Sequence, residues 1–424
     1  MWNIYGKKYD LTNFTQNHPG GSEILIKSKD LDDCTALFES YHAFSNIDSI
    51  RKSLNKYEII ETGSDIKIDY NTDFTTYHKL IEKVKTVYPN RESIKASTSW
   101  YIRIITSILF YIYIIHYMNL IHSIYIKCFL SIIASLIDTS IFLFNLSHDG
   151  SHYAISTNSI VNNTISKIAN SWILWNHSMW FYHHVYYHHS FTGNKNDPDK
   201  NLYSINLMFD VTDKSPIERN SGDNLRPNFL SVCCNKCLSV ETVVNIIYTS
   251  IPGQLFSQFI WYIYSSFKSR LWLIGIDHFK IPNTNHYDMG SLFIMFCKIY
   301  VLYNMGILPA ICYIITGNTL YYLNVIADHD LYETHENYYD GNDWAKRQIC
   351  NSGNFMNENK MWTMAFSGIN HQIEHHLFPN VCGHKCAYIA PIVKEFCKEN
   401  NLPYVHHSTM FGAYKSFMKK IKTC

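Results

Sequence analysis

The sequence predicts an all-α membrane domain with four transmembrane helices in two hairpins, preceded by a small soluble module. Four apolar runs occur in two close pairs, at residues 101–120 with 123–146 and at residues 291–305 with 307–327. Residues 1–58 contain no long apolar run. Because an apolar helix of about 20 residues crosses a bilayer, the two pairs predict two hairpins, and the first 58 residues predict a separate domain.

The charge balance and the histidine content narrow the class of protein. Lys and Arg total 36 and Asp and Glu total 35 among 424 residues, so the chain lacks the basic excess typical of nucleic-acid-binding proteins, and no nucleic-acid partner is expected. It has 22 histidines, and seven of them fall between His148 and His189. Since histidine is the commonest metal ligand in proteins, this clustering indicates metal binding.

The 12 cysteines are expected to be reduced, because the N-terminal segment MWNIYGKKYD lacks the apolar core of a signal peptide. The group Cys233, Cys234 and Cys237 can in principle bind a metal or carry a lipid. No second Cys or His pair follows it at zinc-finger spacing, so free thiols are expected there.

Two histidines mark the N-terminal module. His18 lies in the segment NHPGGSEIL, and His42 follows 24 residues later. Two histidines on separate loops or helix ends can bind a haem iron from both sides, which leaves no position for oxygen and suits electron transfer. A turn followed by a helix explains the HPGG segment equally well, so the residues alone leave both interpretations open.

Residues 59–97 are expected to form a linker that contains one amphipathic helix. Apolar side chains recur there at helical spacing: Phe74, Tyr77, Leu80, Ile81, Val84 and Val87.

The distribution of positive charge predicts the orientation in the membrane. Lys and Arg residues gather before and at the start of the first run, whereas the hairpin tips MNLIHS and YNMGIL lack both residue types. The basic residues are Lys83, Lys85, Arg91, Lys95 and Arg103. Because positive charge near span ends marks the cytoplasmic side, both termini and the histidine clusters are expected to face the cytosol.

Two further stretches, 166–187 and 242–264, are apolar without clearly spanning, and helices lying on the membrane surface suit them. Asp138 lies deep in the second run and is expected to face protein or a cavity, not lipid. It can line a substrate passage or pack against another helix, and the sequence favours neither.

Three histidine clusters have the spacing of metal ligands on one helical face. His148 and His152 stand four apart, with Asp149 placed to accept a hydrogen bond from an imidazole. In the segment HHVYYHHS, His183 leaves the choice of the first ligand ambiguous. The candidate ligands of the second and third clusters are His184, His188, His189, Gln372, His375 and His376.

The number of donors predicts two metal ions. Eight or so donors exceed the three or four ligands of one zinc site. Two ions with imidazole ligands and open positions for oxygen would use that many, but ligand chemistry alone leaves iron and manganese both possible.

Residues 1–58 resemble the cytochrome b5 domain, whose fingerprint is HPGG followed at this distance by a second histidine. The resemblance implies a small α+β domain that binds haem b through His18 and His42. Residues 98–424 form the second predicted domain, and 98–400 resemble the membrane fatty-acid desaturases. The pair together resembles the cytochrome b5-fused front-end desaturases, with interfacial and cytosolic helices beside the four spans.

In that family the histidine clusters hold two non-haem irons. The implied ligands and catalytic residues here are His148, His152, His184, His188, His189, His375 and His376. The resemblance adds His329, just after the fourth run, although its flanking aspartates depart from the family pattern. Gln372 stands where other desaturases have histidine, which indicates the front-end group. Trp344 and Gln348 also match, whereas Ser367 replaces a usual glycine.

The resemblance implies an O₂-dependent desaturase that inserts a cis double bond between an existing double bond and the carboxyl end of a polyunsaturated acyl chain, near carbon five or four. The substrate would be a fatty acyl-CoA or acyl-lipid. Electrons would pass through the haem from an NAD(P)H-dependent cytochrome b5 reductase. A sphingolipid long-chain-base desaturase, a membrane diiron hydroxylase, and a haem electron carrier with an inactive membrane part are the alternatives. We expect an integral membrane protein of the endoplasmic reticulum.

Overall fold

The computed structural model describes residues 1–59, 71–194, 197, 199 and 289–423. The apolar stretch 242–264 and the cysteines at positions 233, 234 and 237 lie outside the described residues.

The N-terminal module is a small α+β unit, as predicted. Strands β1 (Trp2–Ile4) and β2 (Lys7–Tyr9) pair in antiparallel fashion. Tyr5 and Gly6 form the two-residue turn between them, with φ angles of 54° and 70°. Positive φ at both positions gives the turn the twist that a tight hairpin needs. The module contains β1 (Trp2–Ile4), β2 (Lys7–Tyr9), α1 (Ser22–Ser28), α2 (Thr35–His42) and α3 (Ile47–Leu54).

The predicted amphipathic helix is α4 (Thr75–Val84). Its apolar face is buried, except that Val87 is 40% exposed because the helix ends three residues earlier. Tyr77 contacts the ring of Trp344 at 4.8 Å between centroids and donates a hydrogen bond to the Leu377 carbonyl. This helix therefore packs into the core of the C-terminal part of the chain.

The apolar runs form long helices with nearly the predicted limits. They are α5 (Thr98–Leu120), α6 (Ile124–Asp138), α11 (Met289–Met305) and α12 (Ile307–Asp328). The helix of α6 continues through a π-helix (Thr139–His148) and α7 (Asp149–Ser151). Within the described residues, three helical stretches are long and apolar enough to cross a membrane: Thr98–Leu120, Ile124–Ser151 and Ile307–Glu336. The third predicted run forms a shorter apolar helix of 17 residues, Met289–Met305.

Asp138 packs between helices, which decides between the two interpretations of its role. Its carboxylate accepts hydrogen bonds from Lys298 Nζ at 3.0 Å and from Trp172 Nε1 at 2.6 Å. Lys298 also donates to the Tyr313 hydroxyl at 2.7 Å. Because a charge in an apolar interior is costly unless it is paired, this cluster fixes the relative positions of α6, α11 and α12.

The rest of the described chain consists of short elements around the helix ends, and the predicted stretch 166–187 belongs to three of them. These elements are α8 (Ser159–Trp172), α9 (His177–Trp180), a π-helix (Phe181–His188), α10 (His189–Phe191), α13 (Tyr332–Glu336), α14 (Trp344–Cys350), β3 (Asn354–Phe355), α15 (Lys360–Ala365), α16 (Gln372–Leu377), α17 (Cys386–Glu399), β4 (His406–His407) and α18 (Met410–Thr423). Strands β3 and β4 pair in parallel.

The N-terminal module shares a core with the C-terminal part. Trp2, Ile4 and Leu37 belong to the same buried cluster as Phe181 and Val185. Polar contacts cross the same boundary: the Tyr182 hydroxyl donates to the Lys27 carbonyl at 3.0 Å, and the Tyr186 hydroxyl donates to the Asp33 carbonyl at 3.1 Å. The second histidine cluster is therefore covered by the module.

A tight contact between two glycines positions the turn before α16. A Cβ on Gly368 would lie 1.8 Å from the Gly383 carbonyl oxygen, and the Gly368 backbone has a φ of 75°. The preceding Ser367 also has a positive φ, 54°. Its buried hydroxyl donates to Asn145 at 2.9 Å and to Asp149 at 3.2 Å. Ser367 thus ties this turn to the π-helix and to α7, which continue the helix of α6.

We predict that Gly368→Ala destabilises the protein more than Gly306→Ala. Both glycines have positive φ, but no described atom lies within 4 Å of a Cβ built on Gly306. Gly306→Ala should cost about 1–3 kcal/mol for the backbone conformation alone, since φ 87° with ψ 160° is almost restricted to glycine. Gly368→Ala adds a clash with backbone. Thermal unfolding in detergent should show a larger fall in melting temperature for Gly368→Ala than for Gly306→Ala. Equal falls in melting temperature would contradict this packing.

Candidate metal centre and haem site

The structure brings all nine predicted metal-site residues into one buried cluster at the ends of α6 and α12. The cluster joins the end of the first hairpin, the segment after α9, the residue after α12 and the helix α16. Its members are His148, His152, His184, His188, His189, His329, Gln372, His375 and His376.

Two π-helices explain how the first two clusters face inward. One ends at His148 and the other at His188. A π-helix has hydrogen bonds from residue i to i+5 and occurs mostly at functional sites. In this wider helix both the fourth and the fifth residue after His184 lie near it: His188 and His189 have ring centroids 5.2 and 4.9 Å from that of His184.

The first set of donors consists of His148, His152, His184 and His375. One nitrogen of each lies within 4.8 Å of the others. Among the described residues, His152 Nε2 and His184 Nε2 are buried without any hydrogen-bond partner. A buried nitrogen without a partner is costly, but a metal ion would satisfy both atoms.

The second set consists of His188, His329 and His376, whose donor nitrogens also lie within 4.8 Å of one another. The amide nitrogen of Gln372 lies 3.0 Å from His329 Nε2 and 3.1 Å from His376 Nε2. Its oxygen, Oε1, has no partner among the described residues. Because amide oxygen and nitrogen exchange places by a half-turn, Gln372 can present an oxygen to an ion held by this set.

His189 lies between the two sets. Its ring centroid is 4.5 Å from that of His152, 4.7 Å from that of His375 and 4.3 Å from that of His376. Its Nε2 lies 3.1 Å from His375 Nε2. The described residues thus form two adjoining donor sets with one imidazole between them.

The outer nitrogens of the rings are held by a second layer of polar groups. Asp149 lies 3.3 Å from His148 Nδ1, the contact predicted from the sequence. The other four anchoring contacts to Nδ1 atoms were not predicted: Tyr41 hydroxyl to His152 at 2.9 Å, Asp197 to His188 at 2.9 Å, Asn351 carbonyl to His329 at 2.9 Å, and Gln348 Oε1 to His376 at 2.9 Å. Such contacts fix the tautomer and direct Nε2 toward a metal.

Most of these imidazoles are kept neutral, the form that binds metal. Burial, together with neighbouring imidazoles, holds the pKa values of His152, His184 and His376 well below the usual range. For His188 burial opposes the charge, but the carboxylates of Asp197 and Asp199 outweigh it and raise the pKa.

Two histidines near the clusters do not join the donor sets. His183 points to Asp199, with 2.7 Å between Nε2 and Oδ1, which resolves the ambiguity at the second cluster in favour of His184. His371 contacts the Thr363 hydroxyl at 3.2 Å.

A cavity of about 50 Å³ opens beside the donors. Its apolar wall includes Leu143, Phe144, Val325 and Ile369. Four histidines of the two sets also line it together with Gln372: His148, His184, His188 and His329. The site therefore places metal-binding groups against an apolar space.

His18 and His42 face each other in the N-terminal module with 6.2 Å between ring centroids. Each Nδ1 donates to a backbone carbonyl, from His18 to Gly21 and from His42 to Phe38. These bonds leave both Nε2 atoms available. Two metal–imidazole bonds of about 2 Å each, plus the distance from each nitrogen to its ring centre, span this separation, so the pair fits a six-coordinate haem iron.

Gly20 makes the approach of the His18 ring possible, because a Cβ there would lie 2.6 Å from His18 Cε1. Burial lowers the pKa of His18, and it lowers the pKa of His42 to about 4. Both rings are therefore neutral and able to bind iron.

Comparison with known proteins identifies a family for each of the two parts of the chain. The family model described as "Fatty acid desaturase" matches residues 123–408, more than half of the chain. The model described as "Cytochrome b5-like Heme/Steroid binding domain" matches residues 1–83, beyond the boundary expected at residue 58. No solved structure matches the chain.

Curated relatives align over nearly the whole chain. An "Acyl-lipid (8-3)-desaturase" of Physcomitrium patens is 26% identical over 99% of this chain and 87% of its own length. A "Probable Delta(5) fatty acid desaturase C" of Dictyostelium discoideum is 26% identical over 98% of this chain and 90% of its own length. An "Acyl-lipid (8-3)-desaturase" of Mortierella alpina is 25% identical over 99% of this chain and 92% of its own length.

The resemblance to the cytochrome b5-fused front-end desaturases is thereby confirmed, with haem implied by the N-terminal domain and iron by the rest. This chain belongs to the fatty acid desaturase family of oxidoreductases and begins with a cytochrome b5-like domain.

Proposed function

We propose that this protein is a front-end acyl desaturase that uses O₂ at a diiron centre and receives electrons from its own haem domain. The observation that carries the proposal is the pair of adjoining donor sets, four imidazoles in one and three in the other, with His189 between them. One set would hold each iron, and Gln372 would complete the second set.

The long apolar helices support a membrane location. In the proposed arrangement α5, α6, α11 and α12 all span the bilayer as two hairpins. The donors at the ends of α6 and α12 then lie at one membrane surface. The basic residues before α5 support a cytosolic location for that surface, and the endoplasmic reticulum is the proposed membrane.

In the proposed reaction, the side chains of the protein hold the imidazoles in place, keep most of them neutral and exclude water from the site. The irons, when bound, supply the oxidising power from O₂ that breaks an unactivated C–H bond. The anchored Nδ1 atoms hold the imidazoles in place, so the donor geometry is set before substrate arrives. The apolar wall of Leu143, Phe144, Val325 and Ile369 would pack against the acyl chain and exclude water.

The electron balance explains the fused haem domain. Removal of two hydrogens from adjacent carbons supplies two of the four electrons that reduce O₂ to water. The other two come through the haem from an NAD(P)H-dependent cytochrome b5 reductase. A six-coordinate haem between His18 and His42 would carry them one at a time.

The names of the relatives and Gln372 support the front-end type. Two relatives are named acyl-lipid (8-3)-desaturases and one a probable Delta(5) desaturase. We therefore favour a polyunsaturated acyl-lipid or acyl-CoA as substrate and insertion near carbon five or four.

We predict that yeast expressing the chain and fed defined polyunsaturated acids forms new double bonds on the carboxyl side of an existing one. Long-chain bases are fed in parallel. Lipids are analysed by mass spectrometry with localisation of the double bonds, and a strain carrying His376→Ala is the control. New double bonds only in long-chain bases, new hydroxyl groups, or no product from chain that binds both haem and iron would each overturn the proposal.

We predict that His184→Ala weakens iron binding by at least tenfold and abolishes product, because it removes one of four imidazoles from the first set. Bound iron is measured per chain on purified protein. His183→Ala is the matched control, since the adjacent side chain contacts Asp199 and lies outside the donor sets. Equal iron contents in the two variants would contradict the assignment.

We predict that His18→Ala removes the visible haem absorbance and leaves iron binding intact, because the two sites use separate residues. His78→Ala is the control: this histidine contacts Glu39 at 2.9 Å and belongs to neither site. Normal haem absorbance in His18→Ala would refute the axial role.

A further inference from the structure

One side chain of the haem domain reaches directly into the metal cluster. The Tyr41 hydroxyl lies 2.9 Å from His152 Nδ1. Tyr41 directly precedes His42 at the end of α2, so a single peptide unit separates it from a proposed haem ligand. His152 belongs to the first donor set, and its Nε2 is buried without a hydrogen-bond partner among the described residues.

We infer that Tyr41 is the positioning residue that couples the haem to the metal centre: its backbone continues from His42 and its hydroxyl holds His152, forming the electron-transfer path between the two sites. The inference rests on the proposed function, since it requires haem at His42 and iron at His152. It adds the route by which the two cofactors communicate.

The surroundings of Tyr41 hold it in place. Asn380, just after the third histidine cluster, donates from Nδ2 to the Tyr41 carbonyl at 3.0 Å. Phe44, two residues beyond His42, packs against Phe378 with 5.7 Å between ring centroids. The end of α2 is thus fixed to the segment that follows α16. The contact to His152 is therefore part of a packed interface and does not depend on one surface side chain.

The hydrogen-bond roles follow from the metal site. A neutral His152 that binds metal through Nε2 carries its proton on Nδ1. Nδ1–H then donates to the Tyr41 oxygen.

Each electron transfer from the haem to the metal centre moves one electron and no proton. The haem iron changes from ferrous to ferric, and one metal-centre iron changes from ferric to ferrous. Tyr41 is neither oxidised nor deprotonated. The reductase then reduces the haem again, and a second crossing completes the two electrons required for each double bond.

The test compares Tyr41→Phe with the parent full-length protein carrying haem and iron. Under anaerobic conditions the haem is reduced rapidly by flash photoreduction, and its reoxidation by the ferric metal centre is followed by visible absorbance. We expect Tyr41→Phe to slow this reoxidation at least tenfold, the size of effect typical of groups that hold metal ligands. Haem spectrum and haem reduction potential should match the parent, and the two proteins are compared after iron has been added to the same content per chain.

Tyr182→Phe is the matched control, because that hydroxyl also crosses the domain boundary and donates to the Lys27 carbonyl at 3.0 Å. It should transfer electrons at the parental rate. Parental reoxidation in Tyr41→Phe, or equal slowing in both variants, would overturn the inference while the desaturase proposal stands. If the parent itself, with both cofactors bound, neither transfers electrons nor forms product, the proposed function fails with it.

Discussion

The structure depends on the burial of nine nitrogen or amide donors in one place, which is costly unless each group is satisfied. A neutral imidazole has two nitrogens, and the fold gives each a different task. For His148, His152, His188, His329 and His376, the outer Nδ1 contacts a carboxylate, carbonyl, amide or hydroxyl. The inner Nε2 is left for metal. Much of the surrounding architecture supplies these outer partners.

This requirement explains features that otherwise look unrelated. The backbone carbonyl of Asn351, just after α14, orients His329. Gln348, one turn earlier, orients His376 and also accepts from Thr192. The same helix packs through Trp344 against Tyr77 of α4. Tyr77, far outside the histidine clusters, therefore supports the site indirectly: it packs on Trp344, and the helix that contains Trp344 also carries Gln348, which orients His376.

The haem domain has a structural role in the metal site as well as a proposed electron-transfer role. It covers the second histidine cluster with apolar side chains and supplies Tyr41 to His152. A domain that completes the partners of a metal ligand cannot move away without leaving a buried nitrogen unpaired. Because the two domains are fused, the Tyr41 hydroxyl stays at high local concentration beside His152.

The sequence by itself determined the apolar helices, the α+β module and the candidate donors, because each depends on local spacing and composition. Hydrophobic run length gave α5 and α12 nearly to the residue, and four-residue spacing selected His148 with His152. Only the tertiary structure decided between His183 and His184, since that choice depends on a π-helix and on Asp199. It also decided that Asp138 pairs with Lys298, 160 residues away. Tyr41, Asn351 and Asp197 have no local signature, because a hydrogen bond between distant segments exists only once the chain has folded.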